Sequence, residues 1–257
     1  MRKLILTLLF AAPLWAAQQN SFRVEALVDG FPAPEYAAHG ATYIEALKGK
    51  EYEIRLTNPL GVRVAVALAV DGLNSIDARH TDARSAQKWV LDPYETITIR
   101  GWQTNEKHAR RFFFTTEENS YGQWLGQTEN LGVITAAFFR ERPRHWVRPV
   151  TPKTPLAEGS AGAGRNRDSA GPAAKSAPQP ADEYAATGIG DQISHPVTRV
   201  HMDLEEHPAA VVTLRYEFRP GLIALGVLPQ PWPVTDPLRR REHARGFRDT
   251  GFCPDPK

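Results

Sequence analysis

Between residues 22 and 140 apolar and polar residues alternate in short runs separated by turn chemistry, the period of half-buried strands. Phe22, Val24 and Ala26 alternate with Arg23 and Glu25. Tyr43–Leu47 follows and stops at Lys48-Gly49-Lys50, and Tyr52-Glu53-Ile54-Arg55-Leu56 alternates as far as Asn58-Pro59. The strongest run is Val62–Val70, with Val62, Val64, Val66, Leu68 and Val70 on one face. Its other face carries alanines, which predicts close packing against a second surface. The run ends at Asp71-Gly72, a turn signal. Trp89–Leu91 and Thr96–Ile99 flank a turn at Asp92-Pro93-Tyr94, and Phe112–Thr116 and Leu131–Phe139 complete eight candidate strands. Short helical turns are expected at Tyr121–Gln127 and Asp82–Gln87. Strands at this spacing, without alternating long helices, predict an all-β, antiparallel, jelly-roll-like β-sandwich over residues 18–142.

Residues 143–185 break the pattern. Between Thr151 and Asp182 the only large apolar residue is Leu156, there is no aromatic, and Ala, Pro, Gly and Ser dominate. Such a segment buries too little surface to offset its ordering entropy and reads as a disordered linker. Alternation returns within residues 186–257. Val200, Met202 and Leu204 interleave with His201, Asp203 and Glu205, a turn is expected at Glu206-His207-Pro208, and Val212, Leu214, Tyr216 and Phe218 interleave with Thr213, Arg215 and Glu217. This predicts a C-terminal β-hairpin. A lone hairpin is marginal in water, so it is expected to dock on the sandwich. Pro229, Pro231, Pro233 and Pro237 then exclude regular structure from the tail.

The beginning of the chain sets the compartment. Arg2 and Lys3 precede an apolar run from Leu4 to Trp15, and the small residues Ala16 and Ala17 lead into Gln18, Gln19 and Asn20. Residues 1–17 read as a signal peptide, with export through the general secretory route to a periplasm or the medium. No second apolar run reaches transmembrane length. The formal charge is +2; loss of Arg2 and Lys3 makes it neutral, which argues against nucleic acid as a partner. The single cysteine, Cys253, cannot form an internal disulfide.

No cofactor is expected, because the chain contains no Gly-x-Ser-x-Gly, His-Glu-x-x-His, phosphate-loop or Cys-x-x-Cys motif. Four weaker constellations remain. Asp71, Asn74 and Asp77, with His80 just beyond, place hard oxygen donors in one loop, as Ca²⁺ prefers; the same residues also build turns bonded to their own backbone. His201, Asp203 and Glu205 would share one face of a strand, as an acid–base or metal pair requires, or form a solvated face. Trp102, Tyr121 and Trp124, in the neighbourhood of Trp89 and Tyr94, offer rings that could stack on a glycan or simply pack. Arg239, Arg240, Arg241 and Arg245, with Arg248, form a basic patch suited to an anionic partner, or a solvated tail.

Two stretches carry a resemblance. Val70-Asp71-Gly72-Leu73-Asn74, Trp89-Val90-Leu91-Asp92-Pro93, Ile99-Arg100-Gly101-Trp102 and Phe112-Phe113-Phe114 make up one; Tyr216-Glu217-Phe218-Arg219 and Leu225-Gly226-Val227-Leu228-Pro229 make up the other. Together they resemble exported bacterial β-sandwich proteins that have no assigned activity. The resemblance implies a shared fold and transfers no catalytic residue. The expected function is therefore that of an exported binding or protein-interaction module of the bacterial envelope, with an envelope protein or a glycan as partner. A glycan-binding module using the loop aromatics is the alternative, and a hydrolase without recognisable motif a further one.

Overall fold

The structure is a computed structural model and describes residues 17–142, 183–230 and Arg241. Residues 1–16, which hold most of the expected signal peptide, nearly all of the predicted linker, and the tail with Cys253 lie outside the described residues. The chain runs through β1 (Ala17–Gln19), β2 (Phe22–Val28), β3 (Phe31–Pro32), β4 (Glu35–Ala38), β5 (Ala41–Ala46) and β6 (Glu51–Thr57). There follow β7 (Val64–Val70), β8 (Leu73–Asn74), β9 (Trp89–Leu91), β10 (Thr96–Ile99), β11 (Gly101–Gln103) and β12 (His108–Thr116). A 3-10 turn at Glu117–Asn119 and helix α1 (Tyr121–Leu125) lead into β13 (Val133–Arg140). Beyond the linker lie β14 (Ala185–Ser194), β15 (Ala210–Phe218) and α2 (Arg219–Ala224).

These strands form an all-β sandwich of two sheets. One has the order β1-β2-β6-β12-β11, with β3 on β2, β10 on β6 and β14 on β12. The other has the order β4-β5-β15-β13-β7-β8, with β9 on β7. The pairings are antiparallel apart from β5 with β15, which is parallel. The alternating residues of the sequence face each other across the core: Val24, Ile54, Leu56 and Phe112 from one sheet, Val66, Leu68, Ile134 and Leu214 from the other. Phe22 stacks on Phe138 across the two sheets with ring centroids 4.6 Å apart, a geometry that adds to plain area burial.

The C-terminal strands depart from the predicted hairpin. Residues 200–204 make only an isolated bridge, Leu204 to Glu141. The hairpin's second half is β15, and its apolar face is satisfied elsewhere. It lies inside the second sheet, between β13 and β5, with Ala210, Val212, Leu214, Tyr216 and Phe218 buried. Its companion is β14, which pairs with β12 in the opposite sheet. The residues after the linker therefore contribute one strand to each sheet instead of docking as a unit.

Strand β14 carries small residues for a steric reason. A Cβ at Gly188 would come within 2.3 Å of the Phe113 ring. Gly101 is constrained more severely. The β10–β11 segment pairs first with β6 and then with β12, and Gly101 marks the change. A Cβ there would lie 1.9 Å from the Arg110 carbonyl oxygen, a backbone atom that cannot swing away. Gly101→Ala is expected to cost about 3 kcal/mol, measured as a lowered urea midpoint with an unchanged slope.

Candidate functional site

Asp71 and Gly72 close a two-residue hairpin between β7 and β8, in which Val70 pairs with Leu73. Both have left-handed backbones, φ 52° and 75°, as a type I′ turn requires and as Asp and Gly tolerate. This geometry turns the Asp71 side chain inward. Its Oδ1 accepts hydrogen bonds from the Tyr216 hydroxyl and from Gly132 N–H at 2.9 Å, and its Oδ2 accepts from Thr187 N–H at 2.7 Å. Tyr216 Oη lies 2.7 Å from Thr187 Oγ1, which lies 2.6 Å from Tyr52 Oη. Each hydroxyl has one proton to give. With Tyr216 donating to Asp71, Thr187 donates to Tyr216 and Tyr52 donates to Thr187. The chain is fully buried and ends on a carboxylate. Burial pushes Asp71 up to about 6 against the pull of Tyr216 and the backbone donors, and it holds the Tyr52 and Tyr216 hydroxyls well above their ordinary values. The arrangement binds β6, β14, β15 and the β7–β8 turn together. Its groups are occupied by one another, so its role is structural.

The Ca²⁺ reading of this loop is corrected by the same bonds. Asp71 is consumed as described. Asn74 Oδ1 accepts from Ile76 N–H at 2.8 Å while its Nδ2 donates to Gln87 O at 2.8 Å, and Asp77 Oδ1 accepts from Arg79 N–H at 3.1 Å. The oxygens hold their own backbone. Among the described residues no group of three or more His, Cys, Asp or Glu side chains is placed to hold a metal.

What the loop builds instead is a groove. Residues 75–88 fold back over the outer face of β7 and β13. Asn74 anchors one end, Trp89 Nε1 donates to Ser75 Oγ at 2.9 Å, and Asp82 Oδ1 caps a single turn by accepting from Arg84 and Ser85 N–H. Ala83 and Ala86 pack on Ala67, Ala137 and Phe139, the close contact that the alanine face of the β7 run predicts. Between this loop, the β-sheet and residues 129–131 lies a groove of about 450 Å³, within the usual range for ligand sites. The partly exposed Ala69, Val133 and Thr135 form its floor, and Arg79, His80, Glu129 and Arg215 stand along it. A second groove of about 500 Å³ continues past Arg79 and His80 to Gly126 and Gln127 at the end of α1. His80 Nδ1 is 3.1 Å from Gly72 O, which orients the ring. Neither Arg79 nor Arg215 is ion-paired among the described residues. Of these residues only His80 stands out in the sequence. Arg215 looks like an ordinary exposed strand position, and its apposition to Arg79 depends on β15 joining the second sheet.

The three aromatic candidates are brought together but not all at the surface. Trp102 is 2% exposed, packs edge-on against Phe112 and donates its Nε1 to Gly188 O at 3.0 Å. It is a core residue and offers no ring to a ligand. Tyr121 lies on it, centroids 5.0 Å apart, and Trp124 stacks on Tyr121 at 5.7 Å. Trp124 is 77% exposed. The trio thus forms a column from core to solvent with one free face. His201, Asp203 and Glu205 lie on the irregular connector before β15, where Asp203 faces Arg142 at 3.9 Å and Glu205 N–H donates to Arg140 O. In the basic patch, Arg241 is exposed, and Arg239, Arg240 and Arg245 lie outside the described residues.

No protein-family model, curated protein or solved structure matches the chain. Among the described residues no helix is long and apolar enough to cross a membrane.

Proposed function

We propose that the protein is an exported binding module of a bacterial envelope and that the groove between β7, β13 and the 75–88 loop is its binding surface. The observation that carries the reading is the pairing of a small-residue floor with the guanidinium groups of Arg79 and Arg215, neither of them ion-paired among the described residues. A floor of small residues such as Ala69 and Thr135 lets a chain approach closely, and two cations beside one anion, Glu129, favour a partner bearing carboxylate or phosphate groups. The test is capture of partners from cross-linked envelopes by the tagged full chain, read by mass spectrometry. One partner is expected in near-stoichiometric amount, falling by at least about tenfold with R79E/R215E. Undiminished recovery by that variant removes the groove from the reading.

A second reading rests on Trp124, whose exposed ring is supported from below by Tyr121. Such a supported face suits stacking on a sugar ring. If it is the binding surface, Trp124→Ala abolishes retention on a glycan and R79E/R215E leaves it intact.

A further inference from the structure

Ala17 begins β1 at one edge of the first sheet, and Glu35 begins β4 at one edge of the second. The two come near enough that the Ala17 backbone N–H draws the Glu35 carboxyl down in pKa. Glu35 Oε2 is buried and has no hydrogen-bond partner among the described residues. Burial lifts this carboxyl to about 7; from β2, Glu25 pushes it further up and Arg23 draws it down. The nearby Arg55 of β6 is held by Glu25 at 2.8 Å. A buried carboxylate oxygen without a donor is costly, and the group either holds a proton or pairs with a charged partner that offers several N–H groups. An α-ammonium at the position of Ala17 N would be that partner.

Strand β1 is integral to the fold. Ala17 is 6% exposed, belongs to the core and pairs with Val24. Gln19 Oε1 accepts from Val211 N–H at 2.6 Å, and Asn20 Nδ2 donates to Ala209 O at 2.9 Å. A mature chain that keeps these contacts is cut no later than the bond before Ala17. Leader cleavage takes small residues at the first and third positions before the bond. Cutting after Ala17 would put Trp15 at the third position, whereas cutting after Ala16 puts the smaller Leu14 there.

We infer that the leader is removed between Ala16 and Ala17, and that the new α-ammonium of Ala17 is captured by Glu35, tying the edges of the two sheets together once export is complete. Water adds across the Ala16–Ala17 amide in the hands of the host's leader-cleaving protease. Ala16 departs with the leader as a carboxylate, and Ala17 retains an amine that is protonated at neutral pH. The inference rests on the export reading.

The experiment expresses the full chain in a Gram-negative host and determines the N-terminus of the periplasmic product by intact mass and N-terminal sequencing. The pH dependence of the amine's acetylation rate then gives its pKa. The expected product begins at Ala17, and its amine titrates at least about one pH unit above the ordinary 7.7–8.0. In E35Q it is expected to return to that range. A product beginning at Gln18 or later overturns the capture and leaves export standing, whereas a chain still beginning at Met1 removes both. An ordinary amine pKa in the wild-type product overturns the capture whether or not E35Q folds.

Discussion

Replacing Asp71 by alanine will destabilise the fold by about 3–5 kcal/mol, because three buried donors lose their acceptor together. These are Gly132 N–H, Thr187 N–H and the Tyr216 hydroxyl. Asp71→Asn keeps the volume and still fails. Whichever way the amide is turned, its NH₂ faces a backbone N–H, that of Thr187 on one side or of Gly132 on the other, at a cost of about 1–3 kcal/mol. Urea unfolding followed by tryptophan fluorescence measures both, and a loss below about 1 kcal/mol for the alanine variant would mean that the carboxylate is not an organising group.

The pH profile tests the same residue with a definite sign. The folded pKa of Asp71, about 6, lies above its ordinary value of 3.8, so the native state holds this proton more tightly than the unfolded chain. The group's contribution is therefore greatest below about pH 3.8 and falls as pH rises towards 6, by about 3 kcal/mol at 1.36 kcal/mol per pH unit. Protonation of Asp71 reverses the hydroxyl chain, so that Tyr216 donates to Thr187 and Thr187 donates to Tyr52, which keeps most of the bonds. In the Asp71→Asn variant this fall is absent. A wild-type stability that rose between pH 4 and 6 relative to the variant would contradict the burial-dominated picture.

Alternation made the fold class legible, because β2, β6 and β15 each present one apolar face to the core and the sequence shows that period directly, while β7 and β13 are apolar on both faces and read as buried strands. Strand β14 escaped it. Its Ala-Ala-Thr-Gly opening is buried by fit, against the Phe113 ring and around the Thr187 hydroxyl, and not by hydrophobicity. The hairpin expectation failed for a related reason. Residues 200–204 and 212–218 alternate convincingly, but pairing is decided by partners far away in sequence, and β13 and β5 outcompete the near neighbour. At the site, Asp71-Gly72 reads as a turn and is one. That Asp71 points inward depends on Thr187 and Tyr216, 116 and 145 residues further on, which no local pattern reports. Trp102 and Trp124 differ in the same way: only the pairing of β11 with β12 tells which ring is enclosed.

A chain ending at residue 142 will not fold. It carries eight of the strands that local periodicity predicts, yet it lacks β15, whose place lies between β5 and β13. Without it Ile44 and Ala46 on one side and Ile134, Ala136 and Phe138 on the other lose the neighbour that joins them. The five buried side chains of β15 and Thr187 of β14 go with it. At about 1.5–3 kcal/mol for each large apolar side chain, the loss approaches 10 kcal/mol, comparable to the whole stability of a typical domain. The full chain cut by a protease at a site inserted between residues 143 and 182 is expected to behave differently. Its two pieces will stay together under native conditions, because the sheets, not the covalent link, hold β14 and β15 in place. Gel filtration after cleavage and circular dichroism of the 17–142 fragment decide the matter. A folded, monomeric 17–142 fragment released by the cut would mean that β15 is an addition to a self-sufficient sandwich, and the Asp71–Tyr216 bond would then lose its claim to organise the core.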